Sequence, residues 1–328
     1  MISEKSNIDF TDIMDYEKKI EQNKKNQNSV SILGVKIDPV TRNDLRKKIM
    51  YFLKDGKQHY IVTTNSEFIV AANEDPKFKK IINLADLSLA DGNGVIWASY
   101  FLSRPVAVSK TFPARKQKVY RKRKIRNQLL FSLALNLVYP KSIRKFIPER
   151  LSGADIILDI CQILAENDFS LYILGGEDET PVSAKFMLEK MFPDLMISGI
   201  KGGFKKDSIA DDFLIEAVNK AKPDVLFVAL GHPHQEKWIF YNLDKMPSVK
   251  LAIGIGGSLD FLSGKHKRAP EWMRKANLEW LYRLVQEPRR FRRIKRAVHE
   301  FPKMVYQHKI IKTEQDKEKK EDNQKRIN

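Results

Sequence analysis

The sequence predicts an α/β fold, a Rossmann-like and mostly parallel sheet with helices on both faces, joined by a basic helical insert and a helical C-terminal appendage. Two observations carry that expectation. Short, near-continuous apolar runs alternate with amphipathic stretches between residues 31 and 257, as strands buried on both faces alternate with their crossover helices. The ends of these runs are marked by Gly92, Gly175, Gly231 or Gly256, or by the polar Asn65 and Asp91, which suit tight turns at the carboxyl edge of a parallel sheet.

The elements follow in order. SILGVKI (31–37) reads as a strand. Thr41, with Asp44 three residues on, opens a helix that Gly56 stops, a capping-box pattern. HYIVTTN (59–65) is a strand, followed by a helical stretch over 66–85, the strand LSLAD (87–91) and a helix after Gly92 and Gly94. Past the insert come a helix over 153–167, the strand 170–176, a helix over 180–192 with Pro181 at its start, and the strand 195–200. A helix over 207–221, the strand 224–231, a helix after Pro233 and the strand 251–257 complete the alternation.

The chain has 328 residues, 42% hydrophobic and 30% charged, which supports a packed core. Residues 1–29 read as a polar leader without the apolar stretch of a signal peptide. Residues 30–270 are expected to form the Rossmann-like domain, interrupted by an insert at about 107–147. Residues 271–303 form the appendage and 304–328 a charged, disordered tail. The single cysteine, Cys161, excludes an internal disulfide and lies on an apolar helical face, as a core residue does. No apolar run is long enough for an ordinary transmembrane helix.

The net charge of +18 is uneven. Residues 104–150 hold 14 basic side chains and one acid, Glu149; residues 265–303 hold 13 basic and four acidic; residues 151–264 are net acidic. Two basic blocks on a neutral-to-acidic core point to an anionic partner: nucleic acid, phosphate-bearing substrate or anionic lipid. In the second block Trp272, Trp280 and Tyr282 alternate with Arg274, Arg283, Arg289, Arg290, Arg292 and Arg293. An apolar stripe with basic flanks marks a helix at a membrane interface, and a core-docked helix with a polar outer face reads the same way.

Several residues fall at strand ends. Asp91 is placed either as a general base or as the N-cap of the next helix. Thr63 and Asn65 share one side of their strand and suit hydrogen bonds to a sugar or phosphate, or a turn or cap. Gly231-His232-Pro233-His234-Gln235-Glu236 lacks metalloprotease spacing and a nearby cysteine, so Gln235 is read at a helix N-terminus, where anions are favoured. GIGGSLD (254–260) resembles a dinucleotide glycine turn without the full G-x-G-x-x-G, which only weakly supports a redox cofactor.

Longer segments are more specific. TTNSEFIVAANEDPKFKKIINLADLSLADGNGVIWA (63–98), LYILGG (171–176), VLFVALGHPHQEKWI (225–239), IGIGGSLDFLSGKHKRAPEWM (253–273) and LEWLYRLVQEPRRFRR (278–293), in this order, resemble the WecG/TagA/CpsF family of glycosyltransferases, glycosyltransferase family 26. The resemblance implies an inverting, metal-independent enzyme without a cofactor. It moves an N-acetylmannosamine-type sugar from a UDP donor to a polyprenyl-diphosphate-linked amino sugar, for a cell-surface polysaccharide or teichoic acid. It implies peripheral attachment to the inner face of the bacterial cytoplasmic membrane. Asp91 matches the base; Thr63, Asn65 and Gln235 match substrate-binding polar residues; Gly231, Gly257 and Asp260 lie in the matching segments, with Asp260 on the nucleotide side. Arg283, Arg290 and Arg293 match arginines that close the site, and Trp272, Trp280, Arg289 and Arg292 fall in the membrane-facing appendage.

The insert departs from the family. KQKVYRKRKIR (116–126), with Lys122 and Arg123, precedes NQLLFSLALNLVYP (127–140), too short to span a bilayer but long enough to lie in its interface. It is expected as a second membrane-docking element. UDP-glucose or a UDP-N-acetylmannosaminuronate donor, a nucleic-acid-binding protein and a Rossmann oxidoreductase are the competing readings. No nucleic-acid partner is expected, and a homo-oligomer is left open.

Overall fold

A computed structural model describes residues 29–107, 113–177, 179–202, 211–266, 269–275 and 279–327. The leader over 1–28 lies outside the described residues. The described residues open with a hairpin, β1 (Val30–Ile32) and β2 (Val35–Ile37), paired antiparallel. The expected single strand breaks because Leu33 and Gly34 both take positive φ, 53° and 81°, which turns the chain back on itself. Helix α1 (Arg42–Lys54) starts on the Thr41–Asp44 capping box.

Six parallel strands follow: β3 (His59–Thr64), β4 (Leu87–Ala90), β5 (Ser170–Gly175), β6 (Met196–Lys201), β7 (Val225–Ala229) and β8 (Leu251–Gly254). Their spatial order is β4-β3-β8-β7-β5-β6. Between β3 and β4 the helical stretch divides into α2 (Ser66–Glu74) and α3 (Pro76–Leu84). Asp75 ends the first helix and caps the second, with Pro76 at the first turn of α3, where its missing N–H costs nothing. Then come α4 (Asn93–Ser103), α5 (Ala114–Val138), α6 (Gly153–Glu166), α7 (Thr180–Met191), α8 (Asp211–Ala221), α9 (His234–Asn242) and the one-turn α10 (Leu259–Leu262).

Side chains alternate across the sheet with period two. In β7, Leu226 and Val228 face the layer holding Phe68, Phe78, Trp97, Phe101 and Trp238. Val225 and Phe227 face the layer holding Leu45, Ile49, Ile157, Ile160 and Cys161. Both faces are thus covered, which is why the strands read as unbroken apolar runs. Cys161 is fully buried and its thiol is pushed up to about 12 by burial.

The basic run and the apolar run of the insert merge into one 25-residue helix, α5, followed by a 3-10 turn over Pro140–Ile143. Ile125 is buried, Leu129 and Leu133 pack on the same core, and Trp97 of α4 donates its indole N–H to Ser132 Oγ at 3.0 Å. The appendage is a chain of short helical pieces, α11 (Glu271–Lys275), α12 (Glu279–Gln286), α13 (Phe291–Lys295) and a π-turn over Arg296–Glu300. It runs into α14 (Phe301–Ile327). That helix corrects the expectation of a disordered tail: Phe301 and Val305 are fully buried, and Lys309 donates to the Phe101 carbonyl and to Gln128 Oε1. Burial draws the Lys309 ammonium down to about 8. No helix among the described residues is long and apolar enough to cross a membrane.

Candidate active site

The site forms where β4, β3 and the turn after β8 end side by side. Asp91 follows β4 and donates its backbone N–H to the Thr64 carbonyl at 2.9 Å, while Leu151 N–H reaches the Ala90 carbonyl at 3.0 Å. That second bond returns the chain after the insert to the end of β4, bringing Arg150, Ser152 and Gly153 beside Asp91. A Cβ on Gly153 would lie 3.3 Å from Ser258 Oγ and 3.9 Å from both Asp91 Oδ2 and Thr63 Oγ1. Four segments therefore converge on one point.

Above it lies a cavity of about 410 Å³ whose wall includes Asn65, Asp91, Arg150, Ser258, Glu279, Arg283, Arg290 and Arg293. Three helix N-termini meet it: α2 through Asn65–Glu67, α4 through Gly92–Gly94 and α6 through Ser152–Ala154. Asn65 Oδ1 caps α2, accepting from Glu67 and Phe68 N–H at 2.9 and 3.1 Å. The cap reading of Asn65 thus holds, and the residue still lies on the cavity wall. The N-terminal positions of α4 and α6 carry no side-chain cap, so their first N–H groups are left for an anion.

The alternative of Asp91 as N-cap is settled by position. Gly92, at φ 101°, is the cap of α4. Among the described residues the Asp91 carboxylate accepts no hydrogen bond. Burial pushes its pKa up to about 6, against the pull of Arg283 and Arg150, while Glu279 and Asp155 push the same way as burial. A carboxyl that ionises near neutrality and is otherwise unengaged is suited to accept a proton.

The arginines differ in their engagement. Arg283 lies over the Phe261 ring at 4.1 Å, its Nε is buried without a hydrogen-bond partner, and burial lowers its pKa. Arg290 donates to Glu287 at 2.6 Å and rests against Gly257, where a Cβ would come 2.9 Å from its Nη2. Arg293 donates to both oxygens of Glu67, holding the appendage to α2. Asp260 sits in α10 with its pKa raised by burial, within the fields of Lys265, His266 and Arg290.

Gly231 and Gln235 are not brought to the cavity wall. Gly231 turns the chain after β7 at φ 71°. Gln235 is buried, donates to Glu236 Oε1 at 2.6 Å, and supports from behind the turn that holds Ser258: a Cβ on Gly256 would lie 3.2 Å from its Oε1. Trp280 lies at the cavity and is partly exposed, Trp272 and Arg292 are exposed, and of Arg289 only the backbone turn is described. Lys122 and Arg123 are exposed on α5. Sequence reasoning missed Arg150, Ser258 and Glu279 as site residues, and also Leu133 and Asn136, by which α5 forms part of the wall. Arg150 lies outside the segments that carry the resemblance and reaches Asp91 only because the chain returns to β4 after the insert.

Fold and cavity define an α/β group-transfer enzyme, with a basic carboxylate beneath helix N-termini and arginine at the carboxyl edge of a parallel sheet. The chain belongs to the WecG/TagA/CpsF family of glycosyl transferases, whose family model matches residues 30–133 and 132–316. Its relatives include N-acetylglucosaminyldiphosphoundecaprenol N-acetyl-beta-D-mannosaminyltransferases of Staphylococcus aureus. The protein of strain MRSA252 is 27% identical over 276 residues, 84% of this chain and 91% of the relative. That of strain MW2 is 26% identical over the same length and shares.

Proposed function

We propose that the chain transfers an N-acetylmannosamine-type sugar, with inversion, from a UDP donor to an amino sugar carried on a polyprenyl diphosphate, serving a bacterial cell-surface polymer. One observation carries the reading: Asp91 stands unengaged, with its pKa near 6, in a cavity that also presents Arg283 and two uncapped helix N-termini. The names of the Staphylococcus aureus relatives support this sugar and this acceptor.

The chemistry is a single displacement. Asp91 takes the proton of the acceptor hydroxyl, the hydroxyl oxygen forms a bond to the anomeric carbon, and the bond from that carbon to the UDP oxygen breaks. The charge released on the diphosphate is met by Arg283, by Arg290 and Arg293, and by the N–H groups of α4 and α6. No metal or cofactor is assigned a role. Thr63 and Asn65 orient the substrates, Gly257 gives Arg290 room, and Asp260 serves the nucleotide side. Gln235 acts by holding the turn of Ser258. The enzyme works peripherally at the inner face of the cytoplasmic membrane, where its lipid acceptor lies.

The test is a panel of radiolabelled UDP-sugars with an N-acetylglucosaminyl-diphosphate lipid acceptor. UDP-N-acetylmannosamine is the expected donor. Transfer from UDP-glucose or the uronic acid alone would replace it, and no transfer from any member would end the reading.

A further inference from the structure

Helix α5 carries two different outward faces along its length. Its N-terminal half exposes Lys116, Lys122, Arg123 and Arg126. Its C-terminal half exposes Leu130 at 60%, Phe131 at 55%, Leu137 at 63% and Val138 at 65%. The opposite face is taken up in the fold through Ile125, Leu129 and Ser132. The exposed apolar positions 130, 134, 137 and 138 follow helical spacing and form a stripe. Burial of the protein core does not account for that stripe, since the core contact lies on the other side.

Charge is confined to the N-terminal half, which also exposes Val119 and Tyr120, and an uncharged apolar end beyond it suits oblique entry into a bilayer. About 22 Å separates Lys122 from Leu137 at 1.5 Å per residue, which is enough for one end to sit among headgroups while the other reaches acyl chains. The apolar half also borders the active site, because Leu133 and Asn136 line the Asp91 cavity, as Trp280 does.

We propose that α5 is a lipid-inserting wedge. Its apolar half enters an anionic bilayer at the mouth of the Asp91 cavity, its basic half rests on the lipid phosphates, and the Leu133 face guides the hydrocarbon chain of the lipid-linked acceptor out of the site. The last part rests on the function proposed above; the membrane contact does not.

Cys161 is the only native cysteine and is fully buried, so an introduced surface cysteine can be labelled alone. A polarity-sensitive fluorophore on Leu137→Cys is expected to shift to the blue with phosphatidylglycerol vesicles and to be quenched by nitroxide lipid. The same label on Lys116→Cys is expected to stay unquenched. In co-sedimentation, Leu130→Asp/Leu137→Asp and Lys122→Glu/Arg123→Glu should each lower partitioning onto these vesicles at least tenfold, with melting temperature unchanged. Transfer to a water-soluble short-chain acceptor should be unaffected in both variants. An unshifted label at position 137, or wild-type partitioning of both variants, overturns the wedge even if the enzyme is active. Vesicle binding without transfer to any acceptor sinks the proposed reaction and leaves the wedge standing. Leu133→Ser reads the guiding role: a fall of long-chain relative to short-chain transfer at wild-type vesicle partitioning supports it, and an equal fall on both acceptors rejects it.

Discussion

Trp97 and Ser132, on two helices separated by the start of the insert, meet in a buried hydrogen bond of 3.0 Å. The indole N–H has no solvent to turn to, since Trp97 is 1% exposed. Ser132→Ala is therefore expected to destabilise the protein by about 1–3 kcal/mol, the cost of an unpaired buried donor. Urea unfolding measures it. Trp97→Phe combined with Ser132→Ala should cost less than the sum of the two single changes, because the double variant leaves no orphaned group.

Asp91→Asn should reduce turnover by about 10²–10⁴-fold, the usual worth of a positioned base, while UDP still raises the melting temperature. Wild-type turnover in that variant would remove Asp91 from the chemistry.

The same carboxyl sets a pH dependence. It must be ionised to accept a proton, so kcat/KM should rise with pH through about 6 and level off above it. Stability runs the other way. The folded pKa lies above the ordinary value of 3.8, so what the group contributes is fully present below about 3.8 and is lost as pH rises through about 6. Asp91→Asn should then melt higher than wild type at pH 7.5, and the gap should close by pH 4. Differential scanning calorimetry at the two pH values decides it.

Arg283→Ala should raise KM for the UDP-sugar by at least about tenfold, as the loss of a charge-assisted contact to diphosphate implies. It should also move the acidic limb of the rate profile to higher pH, because Arg283 helps hold Asp91 ionised. A change that only loosened the fold would move neither the limb nor the donor KM selectively.

Gly257→Ala places a methyl 2.9 Å from the end of the Arg290 side chain. That side chain can swing away, so the melting temperature should change little while donor affinity falls. Gly175→Ala meets the Ala229 backbone at 2.7 Å and has a φ of 95°, so it should lose stability instead. Thermal melts beside donor titrations separate the two.

The strand and helix alternation was legible because strands buried on both faces cannot hide their apolar runs. Asp91 was legible because it ends such a run. The hairpin at Leu33-Gly34 was not, since a leucine at positive φ gives no local signal. The tail was misread because its later half is dense in charge, although Phe301, Val305 and Lys309 share one helical face that docks on α4 and α5. Arg150 and Ser258 join the site only through the neighbourhood of β4, β3 and β8, which no spacing along the chain encodes. Gln235 showed the reverse: its sequence context pointed to a ligand, whereas its side chain is enclosed beneath the turn it supports.

Lys309 reaches Gln128 in the insert and the Phe101 carbonyl in the catalytic domain with one ammonium group. Insert and tail therefore share a stake in each other. A lineage that lost residues 107–147 would leave the lysine with one partner fewer and the tail helix packed on the catalytic domain alone. The two segments should accordingly be inherited as a unit, with chains that lack the insert also ending early or carrying an apolar residue at the position of Lys309.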